Sequence, residues 1–125
     1  MTVDVGTQTH EETTRLDSHE LVRRLVQHLG PTLVALMACV RDSKQPYKWA
    51  KSDGPEPRHE ALQRLQVAHR VWMMLSAADS EHLARNWFIG ANPRLGEEAP
   101  VVAIREGRYA DVIAAATAFT EGTDD

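Results

Sequence analysis

The chain has 125 residues, 42% of them apolar, a net charge of −4 and a single cysteine. That is enough apolar material for one compact domain, or for two small subdomains sharing a core. No apolar run is long enough to span a bilayer, the start lacks the basic and apolar regions of a signal peptide, and one cysteine makes no internal disulfide, so the expectation is a cytoplasmic protein.

The total charge conceals a segregation. Residues 1–40 sum to −2, residues 41–78 to +3 and residues 79–125 to −5. A basic middle between acidic ends suits a chain that meets a polyanion with one region and something else with another. Solvated faces of ordinary helices give the same counts.

Residues 1–16 are polar and without period, which predicts an arm lacking fixed structure. Asp17 or Ser18 is placed to cap a first helix, and Leu21, Val22, Leu25, Val26 and Leu29 form one stripe that Gly30 ends. Pro31 opens a second helix at no hydrogen-bonding cost. Leu33, Val34, Leu36, Met37 and Val40 make that helix apolar nearly all round and therefore buried. Cys39, among them, reads as a small buried hydrophobe.

Asp42 or Ser43 caps a third helix over residues 43–51, where Pro46 is tolerated because it falls in the first turn. Ser52-Asp53-Gly54 ends it, and Pro55 and Pro57 keep the following linker extended. A long helix then runs from about Arg58 to Ala77. Its Ala61, Leu65, Ala68, Trp72 and Leu75 recur at alternating spacings of four and three, a seam that packs either within the chain or on a second copy. In the second case Leu65, Trp72 and Leu75 form a homodimer interface.

Asp79 or Ser80 caps a fifth helix carrying Leu83, Trp87 and Phe88, stopped by Gly90. Asn92 to Gly96 make a turn, a short helix lies around Val101–Ile104, and a last helix spans Tyr109–Phe119 with Val112, Ile113, Ala116 and Phe119 on one face. No segment alternates apolar and polar residues as a strand would. The predicted fold is all-α, a bundle of seven short or medium helices. Residues 17–57 form a helix-turn-helix region, and residues 58–125 a long connecting helix with a small helical domain.

Little here suggests catalysis. The six histidines share no ligand spacing with one another or with Cys39, so no metal site is expected; His69 reads as a polar tip at the edge of a core stripe. No phosphate-binding loop, no nucleophile elbow and no cofactor motif is present, and Glu97-Glu98 reads as surface. No catalytic residue and no cofactor are proposed, and the chain does not read as an enzyme.

Binding is better supported. A helix-turn-helix sets its second helix in the major groove of double-stranded DNA. If residues 43–51 are that helix, its exposed face carries Lys44, Gln45 and Lys48, with Tyr47 and Lys51 beside them and Arg58 just beyond. Glutamine pairs with adenine, and lysine reaches guanine or phosphate. Trp49 is then the anchor that fixes the helix to the bundle. A bundle of this shape that binds another protein and not DNA remains the alternative.

Trp87-Phe88-Ile89-Gly90-Ala91-Asn92-Pro93-Arg94-Leu95-Gly96, followed by Pro100, Gly107 and Val112, resembles the toxin-binding domain of the Xre/MbcA/ParS antitoxin family. The preceding part resembles that family's Xre-type helix-turn-helix, with Lys48-Trp49 standing where an Arg-Trp-like pair closes the recognition helix. Together the matches cover roughly residues 18–122. The resemblance implies a dimeric regulator that binds its own promoter and, as an antitoxin, covers the entrance of an NAD-degrading RES-domain toxin. It also implies partner contacts by Trp87, Asn92, Arg94 and Leu95.

Overall fold

The structure is a computed structural model that describes residues 16–78 and 81–122. The arm proposed for residues 1–16 lies outside the described residues except for Leu16, which packs against the core. The proposed caps Asp79 and Ser80 lie outside them as well. Among the described residues the fold is all-helical, with seven α-helices and one 3-10 turn.

Helix α1 (Ser18–Leu29) begins where the Asp17 side chain accepts from the Glu20 backbone amide at 2.9 Å, and Gly30 ends it at φ 87°. Pro31 opens α2 (Pro31–Ala38), which stops a turn earlier than its apolar run suggests. Cys39 sits in the left-handed region at φ 65° while its amide and that of Val40 close on the Leu36 and Ala35 carbonyls. This 6→1 and 5→2 pairing caps the last turn and swings the Cys39 side chain outward. Cys39 is therefore exposed, not buried as the sequence pattern suggested.

Helix α3 (Gln45–Ala50) is shorter than expected, since Asp42 spends its carboxylate on the Lys44 amide at 2.9 Å and delays the helix start. Beyond the proline linker come α4 (His59–Ala78), α5 (Glu81–Ile89), a 3-10 turn (Pro93–Leu95), α6 (Pro100–Arg105) and α7 (Tyr109–Thr120). Helix α4 runs through the middle, in contact with α1, α2, α5, α6 and α7. One hydrophobic cluster extends from Leu21 and Trp49 through Leu65 and Leu75 to Leu95 and Val112. The helix-turn-helix region and the C-terminal region thus share a core.

That position of α4 corrects the dimer seam. Leu65 and Leu75 are 0% and 1% exposed within a single chain, so the four-three stripe is consumed by intramolecular packing. Trp72 is half-buried, and its indole stacks on the His28 imidazole of α1 at a centroid distance of 4.0 Å. Leu83 departs from its expected place in the opposite sense, for it is 43% exposed while Ala84, Trp87 and Phe88 carry the inner face of α5.

His69 is not a tip at the core edge but is wholly enclosed by it. Burial, with Arg24 and His28 as positive neighbours, lowers its pKa from 6.5 to about 4. A histidine held below its unfolded-state pKa contributes stability that is complete above about pH 6.5 and is lost as the pH falls towards 4. In urea titrations at pH 7 and pH 5, the native chain should lose about 2 kcal/mol that His69→Gln does not lose. Equal pH dependence in the two proteins would contradict a buried neutral His69.

Candidate nucleic-acid interface

Helix α3 has too few residues to be stable alone; its position comes from what it rests on. Trp49 is 5% exposed and joins the core, and Pro46, in the first turn, is buried too. The carbonyls at the end of α3 are met by side chains from α1: the His19 Nδ1 lies 2.9 Å from the Trp49 carbonyl, and the Arg23 Nη2 donates to the Ala50 carbonyl at 2.9 Å. Side-chain donors at a helix C-terminus satisfy orphan carbonyls, and the Arg23 charge complements the dipole. Arg23 is held in turn by Glu20, one turn earlier on α1.

The linker is anchored to the same corner. Glu56 accepts from the Ser18 hydroxyl at 3.3 Å and lies 4.0 Å from His19 Nε2. Gly54 folds back so closely that a Cβ there would run into the Lys48 carbonyl oxygen. These contacts leave one side of α3 outward.

Lys44, Tyr47, Lys48 and Lys51 are all exposed, with Tyr47 at 52%. Tyr47 and Lys48 lie on α3 itself, and Lys44 and Lys51 flank it as its N-terminal and C-terminal caps, Lys51 with an extended backbone. No acid occurs between Ser43 and Ser52. Gln45 does not belong to this face. It is half-buried and shares the side of Trp49, four residues on, where both line a cleft of about 740 Å³ between α3 and α4. Arg58 is exposed but stands across that cleft, at the start of α4, and so flanks the lysine face at a distance.

No family model, curated protein or solved structure matches the chain. The functional reading therefore rests on the residues themselves.

The expected partner-contacting residues separate on inspection. Trp87 is 9% exposed and Leu95 1%, so both are core residues. Trp87 meets Phe88 edge-on at 5.6 Å and Phe119 at 6.4 Å. Asn92, 5% exposed, is a structural hub: its side chain accepts from the Arg94 amide, its carbonyl from the amides of Leu95 and Glu97, and its own amide donates to Glu98. Of the four, Arg94 alone is exposed. The motif spacing marks a loop that closes through the Asn92 hydrogen bonds, and such a spacing is equally legible whether it serves folding or contact.

Trp87 and Asn92 nevertheless line a shallow groove of about 340 Å³ above that loop, and what the sequence did not offer is Leu83 at its rim. Ile89 is also exposed, at 46%, on the same helix. Beside it, Glu98 is raised above the usual carboxylate range by a hydrogen bond with Glu106, by desolvation and by that neighbour's charge, with Arg108 opposing. Among the described residues, no three metal-ligating side chains gather into a cluster.

Gly54 and Gly90 provide a contrast that tests the linker geometry. A Cβ at Gly90 would meet only the Asn86 carbonyl at 3.4 Å, an ordinary contact. Gly54→Ala should destabilise the fold by roughly 1–3 kcal/mol in urea titration, whereas Gly90→Ala should stay within about 0.5 kcal/mol of the native chain. Equal stability of the two variants would show that the turn back onto α3 is not as tight as described.

Proposed function

We propose that the chain is a DNA-binding regulator that lays the outer face of α3 against duplex DNA. The observation that carries this reading is the exposure of Tyr47 and Lys48 on α3 and of Lys44 and Lys51 at its two caps, on a helix fixed to the core by Trp49. The lysines neutralise phosphates and release counterions, which supplies affinity without sequence preference. Tyr47 is the residue on this face able to pack against a sugar or a base edge. Gln45, turned towards the cleft, is not a base reader in this arrangement, and Arg58 contributes a flanking phosphate contact.

The family resemblance extends the reading to an antitoxin that represses its own promoter and sterically blocks a RES-type toxin. A groove rimmed by exposed Leu83 and floored by Trp87 and Asn92 supports a protein contact there, with Leu83 as its exposed apolar side chain; Leu95 is buried and takes no part. The alternative, a protein-interaction module without DNA binding, draws on the same groove. A homodimer, implied by the resemblance, would need a surface other than the α4 seam, whose leucines are already buried.

Gel shifts with the duplex upstream of the chain's own reading frame, run across a salt series, test the DNA half. Lys44→Ala combined with Lys48→Ala should weaken binding uniformly across sequences and reduce the logarithmic salt slope by about 2. An unchanged slope would remove α3 from the interface. For the protein half, Leu83→Asp should abolish protection from a neighbouring toxin in co-expression while leaving DNA binding intact. Full protection by that variant would place the contact elsewhere.

A further inference from the structure

Another pocket, of about 510 Å³, opens at the end of α2 and shares Cys39, Val40 and Arg41 with the α3–α4 cleft. Its volume falls in the range of small-ligand sites, roughly 300–1,000 Å³. The walls are apolar, from Leu36 and Val40, with hydroxyl groups from Thr32 and Ser43. Its charged lining residues are two arginines, Arg41 and Arg105, and no carboxylate joins them.

Neither guanidinium is engaged by another group among the described residues. Among the described residues Arg105 offers only its backbone carbonyl, to Arg64 Nε at 3.1 Å, and Arg41 forms no ion pair or hydrogen bond through its side chain. The larger cleft, which Arg41 also borders, differs in its lining, because Asp42, Glu56 and Glu60 stand there with Arg58 and Arg64. Of the carbonyls at the end of α2, which would repel an anion, those of Ala35 and Leu36 are covered by the Cys39 and Val40 amides.

We propose that this pocket binds a small organic anion with an apolar body, such as a short-chain carboxylate, whose head group is held by Arg41 and Arg105 and whose chain lies on Leu36 and Val40. Two charge-assisted donors give the head group its hold, and the apolar wall excludes a fully hydrated inorganic ion as the preferred occupant. Ser43 on the wall immediately precedes Lys44, so an occupant bears on the turn that sets α3. The site is therefore an effector pocket beside the lysine face, and its occupancy is measurable whether or not that face binds DNA.

Cys39 is the chain's one cysteine, is exposed, and lines this pocket, so it reports occupancy from within the full-length protein. The rate of Cys39 alkylation by iodoacetamide, a neutral reagent, is measured with and without hexanoate, 1-hexanol or inorganic phosphate. Hexanoate should slow alkylation saturably, while the alcohol and phosphate should do so far less. Arg41→Gln and Arg105→Gln should each raise the hexanoate concentration for half-protection by about tenfold, with helix content and Tm unchanged. Because Cys39 and Arg41 also border the larger cleft, Arg105→Gln is the deciding variant. Absence of protection, equal protection by hexanol or by phosphate, or half-protection unmoved by Arg105→Gln would each overturn the proposal.

Discussion

The seating of Trp49 beneath α1 is the contact on which the lysine face depends. A six-residue helix with a proline in its first turn has no independent stability, and its orientation is whatever its anchor imposes. The indole supplies most of that anchor by burial, on the order of 3–5 kcal/mol if truncated to alanine. His19 and Arg23 then fix the end of the helix by meeting its last carbonyls, and Gly54 lets the chain turn back without displacing them. With one side of α3 pinned in this way, the positions three and four residues apart on the other side have nowhere to go but solvent.

Most of the fold was legible because its signals are local. Asp17, Gly30 and Pro31 mark helix boundaries through hydrogen bonds made within a turn, and the stripes of α1 and α7 follow from a period of 3.6. The role of Trp49 as anchor was legible as well, since a large aromatic beside lysines on a short helix has one apolar side to face. The misplacements arise where a local pattern has two solutions that only the neighbours decide. The Leu65 and Leu75 stripe on α4 fits a dimer seam and a monomer core equally, and five surrounding helices settle it. Gln45 was assigned to the lysine face from proximity, although its spacing of four from Trp49 already put it on the anchored side. Cys39 followed its apolar neighbours into the predicted core, but the left-handed cap that ends α2 turns it out. The pocket of Arg41 and Arg105 was invisible for a different reason: the two residues are 64 positions apart in sequence and meet only because α6 packs against α2.

The single core joins the two proposed surfaces physically. Helix α4 touches the helix-turn-helix region through α1 and α2, and the C-terminal region through α5, α6 and α7. His69 and Trp72 on α4 pack where Arg24 and His28 of α1 approach it, so the junction is polar at its edge and closed at its centre. A docking event at the Leu83 groove and one at the lysine face therefore act on helices that share α4 as a neighbour.

The most direct measurement is a two-dimensional NMR titration of the isotopically labelled chain with a short duplex at low salt. The account predicts that the largest amide shifts fall on Lys44, Tyr47, Lys48 and Lys51, with smaller ones on residues of α1 that brace α3, and that all of them diminish as salt is added. Shifts confined to the Leu83–Leu95 region, or none at any salt concentration, would contradict it.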